Sequence, residues 1–456
     1  MKNCSIWRSI APILAAIIPI SVVCVSRLSR PSAVAGAAQQ PFANTGASYN
    51  QVAPILQSRC ASCHNPQGGA PFNLLTYEDA KQWSGQILEV TQNRYMPPWL
   101  PAPDKGDFAG ERRLSDAELA AIRGWVGAGA PGPVEAAPAP AEAPEWPLGK
   151  PDAILTLPQP VALSGNGRDV FTNLVVPFAG EQTRRLRAIQ IRPSDPQAVR
   201  SVLLSFDESG ILQQTDGWKQ GIAGMEPPEN AARGAAAGLI FWSPGAQGLK
   251  PRTGQSWTVK PGSDLLLTAH LKTTGKKLML QFQIGLYYEG AAPGAEKAAS
   301  GAGRATVLRL THRGPIEIAA GASSITLDDS YTLPQAAVVS AIYPRAHFLA
   351  RSFDAYATTP GGKQVWLLSI PKWDVDWVEV YPYRRPVLLP KGAVIHWKVS
   401  YDNSAENPHN PSDPPIAAHG GSGPADETDA LLLEMEPATG TNPAVWRKAM
   451  EAGAAK

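Results

Sequence analysis

The stretch LMLQFQIGL, residues 278–286, alternates apolar side chains with other residues. One face of this stretch carries Leu278, Leu280, Phe282, Ile284 and Leu286. The opposite face carries Gln281 and Gln283. Because successive side chains of a β-strand point to opposite faces, this period of two predicts a strand with one buried face.

The same pattern recurs in neighbouring stretches, which are separated by residues typical of turns. In residues 265–271 one face carries Leu265, Leu267, Ala269 and Leu271. Short runs rich in glycine and proline punctuate the chain at 260–262, 274–275, 359–362 and 390–392. The 456 residues include 44 prolines and 41 glycines, which is typical of a turn-rich β protein. We therefore expect antiparallel sandwiches in the C-terminal two thirds of the chain.

The first residues have the pattern of an export signal. Lys2 and Arg8 precede a mostly apolar run at 10–25, and small residues at 32–37 suit a signal peptidase. We expect residues 1–37 to be a cleaved signal peptide and the protein to be periplasmic or otherwise exported from a bacterium. The alternative is an uncleaved N-terminal anchor, and we expect a membrane contact only in that case.

Net charge and cysteine content bear on two further properties, nucleic-acid binding and disulfide bonding. The formal net charge of +2, without a basic block, argues against a nucleic-acid partner. Cys4 and Cys24 fall within the expected leader, so Cys60 and Cys63 are the only cysteines of the expected mature protein. We therefore expect no structural disulfide.

The sequence Cys60-Ala-Ser-Cys63-His64 matches the CxxCH pattern of covalent haem attachment. Two thiols three residues apart can add to the two vinyl groups of one porphyrin, and the histidine that follows can ligate the iron. We expect one covalent haem c here, with His64 as the fifth ligand. A zinc site or a redox CxxC pair is the alternative.

Helical patterns surround this motif. Apolar spacing predicts helices over 49–59 and 76–90, and a capping box of Ser115 and Glu118 begins a third helix. Met96, in the sequence RYMPPW, is the only methionine of residues 42–132, so we expect it to be the sixth iron ligand. Lys81, Lys105 or an open site are the alternatives. This order of elements resembles a class I cytochrome c, which implies one-electron transfer.

Composition also suggests domain boundaries. The Ala/Pro-rich residues 133–147 predict a semi-rigid linker after a haem domain at 42–132. A glycine- and alanine-rich stretch near 289–303 divides the remainder. We expect a first sandwich at 148–303 and a second at 304–440.

Seven segments of the β-rich part carry a family resemblance: residues 191–206, 241–245, 265–275, 343–349, 373–377, 401–408 and 420–427. They resemble the copper type II, ascorbate-dependent monooxygenases, the family of peptidylglycine hydroxylating and dopamine β-monooxygenase domains. The resemblance implies two jelly-roll sandwiches with one copper on each. The expected fold class is thus multidomain, a small all-α cytochrome c domain followed by two all-β jelly-roll-like antiparallel sandwiches.

The copper ligands that the resemblance implies are mostly replaced. His270 matches one ligand of the first copper, but Arg200-Ser201 stands where a His-His pair is expected. His347 matches one ligand of the second copper, but Arg345 replaces its partner and Thr428 replaces a methionine. A guanidinium stays protonated and offers no lone pair. We therefore expect no functional copper, with His270 and His347 as vestigial positions; His419 is the best substitute ligand.

These observations favour an exported c-type cytochrome whose β module, without catalytic residues, binds or docks. Its expected partners are a periplasmic redox protein and a small molecule or peptide at the β module. The alternative is a copper-dependent monooxygenase that receives electrons from the attached haem domain, and a third hypothesis is an adhesive module with a haem sensor. The segment Trp373-Asp374-Val375-Asp376-Trp377 is interpreted as a packing and turn element.

Overall fold

The computed structural model describes residues 48–133, 144–228, 238–246, 248–252, 255–290 and 306–454. The expected signal peptide, most of the expected linker and most of the stretch at 289–303 lie outside these residues. The described helices are α1 (Tyr49–Arg59), α2 (Tyr77–Gln82), α3 (Ser84–Gln92), α4 (Asp116–Gly127) and α5 (Pro443–Ala454). None of them is long and apolar enough to span a bilayer.

The first half of the β-rich part contains eleven described strands. They are β1 (Ala153–Thr156), β2 (Val161–Leu163), β3 (Val170–Pro177), β4 (Arg184–Pro193), β5 (Val199–Asp207), β6 (Ile222–Ala223), β7 (Ile240–Trp242), β8 (Trp257–Val259), β9 (Asp264–Leu271), β10 (Leu278–Leu280) and β11 (Phe282–Tyr288). β1-β11-β4-β8 form one sheet, β6-β3-β9-β5-β7 form another, and β10 pairs with β2. The two larger sheets share one apolar core, to which Ile284 and Leu286 of β11 and Leu265 and Leu267 of β9 belong.

The second half contains ten described strands. They are β12 (Thr306–Leu310), β13 (Glu317–Ile318), β14 (Ile325–Thr332), β15 (Ala337–Pro344), β16 (Ala350–Thr358), β17 (Gln364–Ile370), β18 (Tyr381–Leu389), β19 (Val394–Tyr401), β20 (Ala418–His419) and β21 (Leu431–Pro437). β12-β21-β15-β18 and β14-β19-β16-β17 form two sheets, and β13 pairs with β20. Val339, Leu433, Phe353 and Ile395 lie in the core that these sheets share.

The sequence patterns predict most of these local elements, with two differences in their division. In residues 278–286, Leu280, Phe282, Ile284 and Leu286 are buried as expected, but the single strand expected there is divided at Gln281 into β10 and β11, which belong to different sheets. The capping box of Ser115 and Glu118 is present at the start of α4. The helix expected over 76–90 is instead divided at Trp83 into α2 and α3.

The fold class expected from the sequence is wrong. The described residues from 48 onward belong to one compact unit, which is mostly β, with 36% of the described residues in strands and 14% in helices. The helical segment of α1–α4 is therefore not a separate all-α domain placed before two jelly-roll-like sandwiches. Phe108, in the loop before α4, pairs with Tyr383 of β18, and it belongs to the same apolar core as the strands of the second half. Local periodicity predicted the helices but contained no information about this packing.

A buried carboxylate links the two halves of the β-rich part. Glu434 of β21 is fully buried and accepts hydrogen bonds from Arg252 Nη1 at 2.6 Å and from the backbone N–H of Leu239 at 2.7 Å. Gln255 and Ser340 complete its partners. A buried carboxylate is tolerated only when such partners replace its lost hydration.

We predict that Arg252→Ala lowers the free energy of unfolding by about 3 to 5 kcal/mol, because it leaves the Glu434 carboxylate buried without its cation. Denaturant unfolding of the variant and the unmodified chain measures the difference. The control is Lys260→Ala, which removes a partly exposed partner of Glu208 and is expected to cost less than about 1 kcal/mol. Equal losses in the two variants would contradict the prediction.

Candidate functional site

The CxxCH motif lies in a turn that continues from the end of α1. The backbone N–H groups of Cys63 and His64 both donate to the carbonyl of Cys60, at 3.1 Å and 2.9 Å. Both cysteines are free thiols and partly buried. Burial, with a smaller effect of the neighbouring Cys63, raises the pKa of the Cys60 thiol to about 12. The turn therefore keeps two thiols and one imidazole close together.

The ring of His64 is held by a single backbone group. Its Nδ1 lies 3.1 Å from the carbonyl oxygen of Phe72, and the two rings are in contact with centroids 4.7 Å apart. Burial lowers the pKa of His64, so the neutral imidazole is favoured. With Nδ1–H donating to the carbonyl, the lone pair is on Nε2, which is how metal-bound histidines are usually oriented. Two thiols and an imidazole in this tautomer are the groups that a c-type haem requires, so these residues fit it.

Met96 lies in the loop after α3, which is attached to the strands. Its backbone N–H donates to Val90, and the neighbouring Tyr95 makes an edge contact with Trp377, with centroids 6.4 Å apart. Two residues further on, the carbonyl of Pro98 accepts a hydrogen bond from Arg112 at 3.0 Å. Arg112 also forms an ion pair with Glu379, at 2.8 Å. The methionine loop is thus fixed against the second half of the β-rich part.

The CxxCH turn itself contacts the first half. Cys63 Sγ lies 3.4 Å from the carbonyl oxygen of Pro244. A Cβ added to Gly245 would lie 2.3 Å from the carbonyl oxygen of Ser62, so only glycine fits at this contact. Lys272, just after β9, donates to the carbonyl of Gly69 at 3.4 Å. The motif therefore lies close to the end of β9, where His270 is located.

His270 belongs to a group of four charged or ionisable side chains, which we call the Arg200 cluster: Asp169, Arg200, His270 and Asp376. His270 Nε2 lies 2.8 Å from Asp169 Oδ2 and 3.8 Å from Asp376 Oδ1. Arg200 contacts both carboxylates, through Nε to Asp169 at 2.6 Å and through Nη2 to Asp376 at 2.8 Å. The ring of Phe171 stacks on His270, with centroids 4.1 Å apart.

Opposite effects set the ionisation of the Arg200 cluster. Burial by itself raises the pKa of Asp169, but hydrogen bonds from His270 and Arg200 lower it below its ordinary value. Burial raises the pKa of Asp376 and lowers that of His270. The guanidinium between the two carboxylates supplies the positive charge that would otherwise come from a metal. This arrangement does not fit the first copper that the resemblance implies, because Arg200 has no lone pair to donate.

His347 belongs to a second group, which we call the Arg345 cluster: Glu226, Arg309, Arg345 and His347. Arg345 Nε lies 2.8 Å from Glu226 Oε1, and Arg309 pairs with the other oxygen at 2.9 Å. His347 Nδ1 contacts the carbonyl of Asp426 at 2.7 Å. Its buried Nε2 has no hydrogen-bond partner among the described residues and lies 3.7 Å from Glu226 Oε1. Here too a guanidinium holds the carboxylate, and the residues do not fit a copper.

Two other residues considered for this second copper, Thr428 and His419, have other partners. Thr428 is buried, and its carbonyl accepts a hydrogen bond from Tyr401 at 2.9 Å. His419 is exposed on β20, where its Nδ1 lies 2.6 Å from Glu317 Oε2. His347 thus lies within a charged cluster, whereas His419 interacts with a surface carboxylate.

Sequence reasoning missed the carboxylates of both clusters. Asp376 is in the segment interpreted as a packing and turn element, and Trp373 of the same segment donates to the carbonyl of His347 at 2.9 Å. This segment therefore contacts both clusters. The two carboxylates of this segment, Asp374 and Asp376, were the sequence feature that could have indicated a site. Asp169 and Glu226 are far from either histidine in the sequence, and no spacing connects them.

No protein-family model and no curated protein matches this chain. Among solved structures, a subviral particle of infectious bursal disease virus VP2 is similar at 8% identity and a TM-score of 0.16, over 62% of this chain and 71% of that chain. PBCV-1 VP54, fitted into a reconstruction of the virophage Sputnik, has 8% identity and a TM-score of 0.20, over 62% and 93%. A tandem CBM22 domain of Paenibacillus barcinonensis Xyn10C has 10% identity and a TM-score of 0.12, over 62% and 82%. Similarities this low support no conclusion about function.

We predict that the free energy of unfolding of Glu226→Gln changes less with falling pH than that of the unmodified chain. Burial raises the pKa of Glu226, but Arg345 and His347 lower it well below its ordinary value. Its contribution is therefore fully present above the unfolded pKa of about 4.3 and is lost as the pH falls through the lower folded value.

Denaturant unfolding between about pH 6 and about pH 3 measures this effect. The variant should be less stable than the unmodified chain at the higher pH, and the difference should shrink on acidification. Asp328→Asn, at an exposed position of β14, is the control and should leave the profile unchanged. A constant difference across the pH range would contradict the prediction.

Proposed function

We propose that this chain carries one covalent c-type haem and transfers single electrons. Cys60 and Cys63 would form the thioether bonds, His64 would be the fifth iron ligand and Met96 the sixth. The observation that carries the proposal is the orientation of His64, whose Nδ1 is 3.1 Å from the Phe72 carbonyl. When bound, the haem supplies a one-electron iron couple. Ligation by histidine and methionine gives this couple a higher reduction potential than ligation by two histidines.

The residues around the motif would orient and enclose this site. Phe72 holds the imidazole through its carbonyl, and Trp83 stacks on Phe72 with centroids 4.3 Å apart. Arg112 fixes the methionine loop by contacting Pro98 and Glu379 together. A fixed loop reduces the rearrangement that accompanies electron transfer, since the ligand need not be reordered each time.

For the β-rich part we propose a non-catalytic relative of the copper type II monooxygenases that docks a partner. The support is the pair of guanidinium groups, Arg200 and Arg345, which occupy the vicinity of the two surviving histidines. A copper-dependent hydroxylation is therefore not our choice. The partner we propose is a redox protein in the bacterial periplasm, with the leader at residues 1–37 as the export signal.

We predict that the unmodified chain, made with a haem-attachment system, retains haem after denaturation, whereas Cys60→Ser/Cys63→Ser does not. Haem staining of a denaturing gel measures covalent attachment. Met96→Leu should keep the covalent haem but lose the thioether-to-iron charge-transfer band and show a lower reduction potential. His409→Ala, at an exposed loop position, is the control and should match the unmodified chain.

Failure of the unmodified chain to retain haem, or zinc bound in its place by Cys60 and Cys63, would overturn the haem proposal. Elemental analysis after copper loading and dialysis tests the second part. We expect one iron and no copper per chain. Tightly held copper would overturn the non-catalytic assignment and favour the monooxygenase.

A further inference from the structure

The donor atoms of the Arg200 cluster are arranged as in a metal site. The ligand atoms of Asp169, His270 and Asp376 all lie within 4.8 Å of one another. Two carboxylates and one imidazole form a set that suits divalent transition metals such as zinc, manganese and cobalt. The donors come from three places in the chain: the residue before β3, β9 and the segment between β17 and β18. Only the tertiary structure brings them together.

The Arg200 guanidinium lies between these donors. It contacts Asp169 at 2.6 Å and Asp376 at 2.8 Å, both within hydrogen-bond distance. Arginine stays protonated at any physiological pH, and its planar group can satisfy two carboxylates at once. A permanent cation that is part of the chain therefore interacts with the oxygens that a metal would use.

We propose that the Arg200 cluster is a divalent-metal site whose cation has been replaced by the guanidinium of Arg200. Removing this side chain would convert the cluster into a three-ligand site for zinc or a similar ion. The proposal goes beyond the haem function and does not depend on it.

Charge balance explains why the Arg200 guanidinium would exclude a divalent metal ion from the cluster. Asp169 and Asp376 contribute two negative charges, and Arg200 offsets one of them. A divalent ion would have to enter beside this fixed positive charge. Without Arg200 the same donors would attract it.

The Arg345 cluster provides a matched comparison within the same chain. It too combines an arginine, a histidine and a carboxylate, but it offers fewer donors. Among the residues that the structure describes, Glu226 is the carboxylate that pairs with His347 Nε2, at 3.7 Å. Glu427 instead accepts the backbone N–H groups of His347 and Leu349. Arg309 also remains beside Glu226. Arg345→Ala should therefore disturb the fold without creating a metal site.

The experiment is zinc binding by the full-length, exported protein as purified, with its iron content measured in the same samples. Equilibrium dialysis against zinc, followed by elemental analysis, compares the unmodified chain, Arg200→Ala, Arg345→Ala and the double variant Arg200→Ala/Asp376→Asn. We expect one zinc per chain in Arg200→Ala, bound at least 100-fold more tightly than by the other three. Zinc should also raise the thermal unfolding temperature of Arg200→Ala alone.

Three results would overturn the proposal. Arg200→Ala could be folded, by circular dichroism, and yet bind zinc no more tightly than the unmodified chain. The unmodified chain could bind zinc as tightly as the variant. The double variant could bind as tightly as Arg200→Ala, which would place the ion elsewhere. If Arg200→Ala does not fold, Arg200→Leu keeps more of the side-chain volume, adds no donor atom and allows the same comparison. An absence of iron in all samples would overturn the haem proposal. Adding Cys60→Ser/Cys63→Ser to every variant would then remove the zinc ligands of the CxxCH turn, so that the comparison with Arg200→Ala still decides this proposal.

Discussion

Buried and partly buried carboxylates held by arginines connect the parts of this protein. Each pair joins segments that are distant in the chain: Arg252 with Glu434, Arg345 with Glu226, Arg200 with Asp376, and Arg112 with Glu379. A carboxylate removed from water is costly unless a cation and hydrogen bonds replace its hydration. Each pair therefore restricts how its two segments pack, and the helical segment and both halves of the β-rich part form one unit under this constraint.

Contacts between distant segments also determine where an attached haem would lie. The CxxCH turn contacts Pro244 in the first half, and the methionine loop contacts Glu379 in the second half through Arg112. Both segments that we propose as iron ligands are therefore fixed to the strands. If the haem function holds, electrons would enter or leave beside the β-rich part, close to the Arg200 cluster, and a partner docked there would be near the iron.

Arg200 and Arg345 play the same electrostatic part in the two clusters. A guanidinium supplies a positive charge to the neighbouring carboxylates, but it donates no lone pair to a metal and does not change oxidation state. Under our proposal the clusters maintain the packing of their surroundings through these charge pairs. His270 and His347 remain as hydrogen-bonding or buried members of these clusters.

The sequence by itself determined most of the local elements. Alternation in residues 278–286 predicted strand structure there, and the Ser115 capping box predicted the start of α4. The CxxCH spacing identified the candidate haem residues. These features depend on neighbours a few residues apart, so periodicity and spacing contain them. Only the tertiary structure decided that the helical segment is not a separate domain and that Asp169, Glu226 and Asp376 meet the two histidines. Those contacts join distant residues through buried charge pairs, and one sequence has no local pattern that records which carboxylate a given arginine will reach.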